Sequence, residues 1–271
     1  MTLNHRFDGP DDAPVLVLGP SLGTTLDLWA PQLPLLTRTW RVLRYDLPGH
    51  GGSAAPPVSG PDGAGPGVEG GVTMEGLAAE VVALLDLHGL DRVAYCGLSI
   101  GGAVGTTLAI TAPERIGSLV LCCTSARFGP AESWHERAAL VRREGTEPLV
   151  ETTRGRWFTP DFTDSRPQLA MLRATDREGY AACCEAIADF DARDRLGEVT
   201  APTLIIAGAG DPATPVEHSK LLLDGISGAA LCVVSPAAHL ANVESPAVVG
   251  EAIAEHLTAT WSPAGGGARE S

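Results

Sequence analysis

No apolar run in the 271-residue chain approaches the roughly 20 residues that a membrane-spanning helix needs. The first residues also lack the charged-then-apolar order of a secretory signal, so a cytoplasmic protein is expected. Positive charge is scarce. Nineteen Lys and Arg face 33 Asp and Glu, which leaves a formal charge of −14. A field of that sign repels nucleic acid and anionic membrane surfaces, and neither is expected as a partner. An anionic substrate would need positive groups placed locally to receive it. The six cysteines (Cys96, Cys122, Cys123, Cys183, Cys184 and Cys232) show no metal-like spacing. Cys96, Cys122 and Cys232 lie in or at the ends of apolar runs, as buried thiols of a reducing compartment do. The two adjacent pairs have poor geometry for bridging to each other. Neither a metal nor another cofactor is expected.

What the chain does have is a hydrophobic fraction of 44% in 28.0 kDa, enough for one large α/β domain or two small ones. Its organising stretch is Arg92–Ala109. A short apolar run, Val93-Ala94-Tyr95-Cys96, turns through Gly97-Leu98-Ser99-Ile100-Gly101-Gly102 and continues as a small-residue helix toward Ala112. A serine framed as Gly-x-Ser-x-Gly between strand and helix is the signature of a nucleophile elbow. The glycines have a steric reason, since side chains two residues either side of so sharp a turn would strike neighbouring backbone. The alternative is a glycine-rich turn that only lets a helix pack on a sheet.

Apolar runs at Val15–Leu18, Trp40–Tyr45, Ile116–Leu121, Thr203–Ala207 and Ala230–Val234 read as further strands. Thr73 caps a helix reaching about His88, with Leu77, Val81, Leu84 and Leu85 on its apolar face. Alternating strands and helices imply a parallel sheet covered on both faces. From about 130 to 196 no strand is apparent, and helical segments there carry aromatic residues and arginines. That pattern suggests a helical cap over the strand ends, where ligands bind in open α/β sheets. The expected organisation is a core of 1–129 and 197–261, a cap of 130–196 and a disordered tail of 262–271. Residues 53–71, rich in Gly, Pro and Ala, read as a flexible surface insertion. Thr214-Pro215-Val216-Glu217 reads as a capping box with proline at the first helical position.

Ser99, Asp211 and His239 each fall in a loop after a strand candidate. His239 would take the serine proton during attack, and Asp211 would fix the imidazole and stabilise its charged form. Asp191 and Asp194 precede their strand rather than follow it. The oxyanion formed on attack needs preorganised donors. The N–H of Ile100, just after the serine, is one candidate. The N–H of Leu22, in the loop Gly19–Thr25, is the other, though that loop also reads as an ordinary βα turn. His50, in a glycine turn, is expected to order its loop by hydrogen bonding.

With those residues in place the chain resembles the α/β-hydrolase superfamily over nearly its whole length. More narrowly it resembles the 3-oxoadipate enol-lactonases. The resemblance is carried by Ser21-Leu22-Gly23-Thr24 with Trp29-Ala30-Pro31-Gln32, by Tyr45-Asp46-Leu47-Pro48-Gly49-His50-Gly51, and by Cys96 to Gly102. It continues in Arg156-Trp157-Phe158-Thr159, in Glu178-Gly179-Tyr180-Ala181-Ala182-Cys183-Cys184, and in Ala238 to Glu244. Pro48 stands where the family turn usually has arginine. The resemblance implies an α/β-hydrolase fold with a helical cap, and hydrolysis of a small enol-lactone bearing a carboxylate. Arg127, Arg154 and Arg156 are available to pair with that carboxylate, and Trp134 and Trp157 to wall the pocket. Solvent-facing arginines and core-filling tryptophans are the alternatives. A general esterase, a perhydrolase or a carbon–carbon hydrolase would use the same triad. A ligand receptor on this scaffold would need no triad at all.

Overall fold

The computed structural model describes residues 3–57 and 71–261. Most of the surface insertion expected at 53–71, and the tail expected at 262–271, lie outside the described residues. In chain order the elements are β1 (His5–Asp8), β2 (Val15–Gly19), α1 (Leu33–Leu36), β3 (Arg41–Tyr45), α2 (Met74–Leu87), β4 (Val93–Leu98), α3 (Ile100–Thr111) and β5 (Ile116–Cys122). Four helices follow: α4 (Ala131–Glu144), α5 (Val150–Trp157), α6 (Arg166–Ala174) and α7 (Arg177–Asp189). The chain closes with β6 (Thr203–Gly208), α8 (Val216–Gly225), β7 (Ala230–Val234), α9 (Ala241–Glu244) and α10 (Pro246–Thr260).

The sheet order is β1-β3-β2-β4-β5-β6-β7. All neighbours are parallel except β1, which runs antiparallel to β3. Every residue of β2, β4, β5 and β6 is buried, as continuous apolar runs covered on both faces must be. The edge strand β7 is different, with Val233 47% exposed. The register decides where function can sit. Gly19 pairs with Gly97, Leu98 with Cys122, Cys122 with Ile206, and Gly208 with Val234. The C-terminal ends of five strands therefore lie side by side, and the loops after β2, β4, β6 and β7 leave the same edge.

Glycine and alanine let α3 lie close against the sheet, with Ile100–Ala109 buried throughout. Beneath it the Tyr95 hydroxyl donates to the Gly101 carbonyl at 2.9 Å and meets the Tyr45 hydroxyl at 2.8 Å. Burial pushes both phenols up, so they stay neutral. Thr73 caps α2 as its sequence implies, accepting the Gly76 N–H at 3.0 Å.

Two differences from the sequence reading have physical causes. The short strand β1 has one well-packed apolar residue, Phe7, too few to betray a strand. It is held instead by the buried Arg44 guanidinium, which donates to Asp8 at 2.7 and 2.9 Å. The capping box at α8 does not form. Pro215 is the N-cap residue, and the Thr214 side chain is engaged elsewhere.

Candidate active site

Ser99 joins β4 to α3 with φ 58° and ψ −118°, a conformation a non-glycine residue holds only under strain. The flanking glycines are required by contact. A Cβ on Gly97 would lie 2.1 Å from the Gly101 carbonyl oxygen, and one on Gly101 would lie 2.5 Å from that of Gly19. The turn is pinned by the Ser99 N–H donating to Cys122 O at 3.0 Å, and by the Thr124 hydroxyl donating to Ser99 O at 2.6 Å.

Asp211 leaves the end of β6 buried, and its carboxylate collects four donors. Oδ1 accepts the backbone N–H groups of Ala213 and Thr214, at 2.7 and 3.0 Å. Oδ2 accepts the Thr214 hydroxyl at 2.6 Å and the His239 Nδ1–H at 2.8 Å. Thr214 thus serves the carboxylate rather than the helix. The bond to Nδ1 leaves Nε2 as the basic nitrogen of His239. Burial disfavours charge on both residues, but mutual attraction and the shared hydrogen bond outweigh it. The His239 pKa is raised and that of Asp211 lowered.

Ser99 and His239 line one cavity of about 640 Å³. Its other walls come from the loop after β5 (Phe128, Gly129 and Pro130), the loop after β6 (Pro212–Pro215), His218 of α8 and the helices between β5 and β6. Of the residues expected to bind substrate, Trp134 and Arg156 line it. Arg127 and Trp157 are not among its walls. Arg127 is half-exposed and turned toward Asp191, 3.9 Å away. Trp157 is buried edge-on to Phe158, and its carbonyl accepts the Leu240 N–H at 2.9 Å. Arg154 donates to Phe162 O at 3.2 Å.

Arg137 is a wall residue the sequence reading passed over. It donates to the Tyr180 hydroxyl at 2.9 Å and the Thr153 hydroxyl at 3.2 Å, and lies over the rings of Trp134 and Tyr180. Both of these hydrogen-bond partners are neutral, and Glu136 lines the same cavity. A signal existed: Trp134 and Arg137, three apart in one helix, share a face.

Leu22 and Ile100, expected to supply the oxyanion donors, are both buried, and neither is among the residues that line the cavity. The loop holding Leu22 is fixed on either side. The Gly101 N–H donates to Pro20 O at 3.1 Å, and the Gly23 N–H to His50 Nε2 at 3.0 Å. His50 Nδ1 in turn donates to Pro48 O at 2.9 Å. Among the described residues, no group of three or more His, Cys, Asp or Glu is placed to hold a metal. No helix there is long and apolar enough to cross a membrane.

These features define a class. The chain belongs to the α/β-hydrolase fold family, whose model matches residues 14–246, and within that fold to the 3-oxoadipate enol-lactonases. It is 37% identical to 3-oxoadipate enol-lactonase 2 of Acinetobacter baylyi, over 93% of this chain and 92% of that one. The crystal structure of the enol-lactonase from Burkholderia xenovorans superposes with a TM-score of 0.87 at 37% identity, covering 94% of this chain and 96% of the other. A protein of Stutzerimonas stutzeri provisionally named a carbamate hydrolase is more distant, at 28% identity over 91% of this chain and 92% of its own.

Proposed function

We propose that this chain opens the ring of 3-oxoadipate enol-lactone, giving 3-oxoadipate, in the breakdown of aromatic compounds in the cytoplasm. The observation that carries the chemistry is the 2.8 Å hydrogen bond from His239 to Asp211, in a cavity shared with Ser99. The substrate comes from the likeness to enol-lactonases along more than nine-tenths of the chain.

Ser99 Oγ attacks the lactone carbonyl as its proton passes to His239 Nε2. The N–H groups of Leu22 and Ile100 receive the oxyanion, each donor of this kind being worth about 3 kcal/mol in the transition state. Collapse breaks the ring carbon–oxygen bond. The ring oxygen leaves as an enol protonated by His239, and the enol then becomes a ketone. Water deprotonated by His239 attacks the acyl-enzyme and restores the Ser99 hydroxyl. The net change is addition of one water across the ester bond. Arg137 and Arg156 hold the substrate carboxylate, offering positive charge in a chain of net charge −14. The helices between β5 and β6 serve as the cap.

The test is the loss of enol-lactone ultraviolet absorbance with purified protein, run beside Ser99→Ala. Turnover abolished by the substitution supports the reading. Serine-dependent cleavage of aryl esters or of an alkyl carbamate, with the lactone untouched, keeps the triad and overturns the substrate. Inertness toward all three favours a ligand receptor.

A further inference from the structure

Glu244 ends the short helix α9, five residues after His239, and none of the chemistry above uses it. Its carboxylate nevertheless joins two parts of the molecule. Oε1 accepts both the backbone N–H and the hydroxyl of Thr159, at 2.9 and 2.7 Å. Oε2 accepts the backbone N–H of Ala238, the residue just before His239. On the far side of the histidine, the Leu240 N–H donates to the Trp157 carbonyl at 2.9 Å. The amides before and after His239 are therefore both tied to the segment 157–159. That segment starts at the last residue of α5, the helix whose Arg156 lines the cavity.

We infer that Glu244 is a positioning residue, which locks the loop of His239 to the cavity-wall helix so that imidazole and substrate pocket keep one register. The inference rests on His239 being the base. Thr159 lies two residues past the end of α5, at the start of the loop that leads to α6, and its two bonds to one carboxylate oxygen fix both its backbone and its side chain. Several hydrogen bonds gathered on one carboxylate transmit placement as well as energy, because each partner is restrained in direction as well as distance. Misplacing a catalytic group by about 1 Å costs on the order of a hundredfold in rate.

The experiment compares Glu244→Gln, Glu244→Asp, Thr159→Val and the Glu244→Gln/Thr159→Val double variant with the parent and with His239→Ala. Two quantities are read: steady-state kcat and KM on 4-nitrophenyl acetate, and the rate at which an alkyl fluorophosphonate labels Ser99. Glu244→Gln is expected to lower kcat and the labelling rate together, by tenfold or more, with KM moving less than about threefold. Thr159→Val should lose less, Glu244→Asp should recover part of the loss, and the double variant should match Glu244→Gln rather than multiply the two losses. Parental kcat and labelling in Glu244→Gln, a change in KM alone, or losses that multiply would each overturn the inference. Should Glu244→Gln fail to fold, Thr159→Val and Glu244→Asp carry the same comparison. Parental labelling in His239→Ala would overturn the assignment of the base itself, a result distinct from failure of the clamp.

Discussion

The buried imidazole of His50 accepts the backbone N–H of Gly23, 3.0 Å away, and so sets the loop in which Leu22 lies. That bond requires an unprotonated Nε2. Burial supplies the condition, lowering the His50 pKa to about 4 against the pull of the Pro48 carbonyl and two nearby carboxylates. In the unfolded chain the same group titrates near 6.5. Between those values the unfolded state binds the proton and the folded state does not, so stability falls as pH falls from 6.5 toward 4. Denaturant titrations at pH 7 and pH 4 should show His50 contributing about 3 kcal/mol to that loss. His50→Gln should flatten that part of the curve, and should also lower kcat by weakening the hold on Leu22.

The pair at Asp211 has the opposite sense. Because the His239 pKa is raised by the neighbouring Asp211 carboxylate, the acid limb of kcat/KM, if His239 is the base proposed above, should lie above the ordinary histidine value. Asp211→Asn removes the attraction and permits the wrong tautomer. It should cut kcat by roughly a thousandfold or more and move the remaining limb downward. An unmoved limb would assign the titration to another group.

Ser99 holds its strained backbone whatever its side chain does. Ser99→Gly, which the left-handed region suits, should abolish hydrolysis and raise stability by about 1 kcal/mol. Thermal melts of parent, Ser99→Gly and Ser99→Ala separate the backbone effect from loss of the hydroxyl, since only glycine relieves the strain.

The cavity arginines should act on binding rather than on chemistry. Arg137→Gln should raise KM for the carboxylate-bearing lactone about tenfold or more, while leaving a neutral ester of similar size within about twofold. Equal losses on both substrates would mean that Arg137 only supports Trp134 and Tyr180.

Legibility in the sequence followed the range of the forces involved. The elbow around Ser99 and the order Ser99, Asp211, His239 are local steric and positional facts, and the residues state them. The sheet strands announced themselves wherever both faces were buried. At β1, where an ion pair from Arg44 replaces apolar burial, they did not. Thr214 illustrates a conflict between levels: its spacing fits a helix cap, but a carboxylate three residues earlier competes for the same hydroxyl and takes it. The cavity wall was the least legible part. Arg127, Arg137, Arg154 and Arg156 have the same chemistry in the sequence, and what separates them is packing between distant segments. Arg127 faces Asp191, whereas Arg137 is steadied by Tyr180 from the neighbouring α7.

Strand β7 has a neighbour on one side only, and it leads directly into the turn that presents His239. Strands in that position fray before central ones as temperature rises. Fraying here would carry His239, the base proposed above, away from Asp211 while Ser99, just past the end of the central β4, stays where it is. Warming should therefore silence the enzyme before it melts it, with activity fading several degrees below the point at which the protein loses its shape.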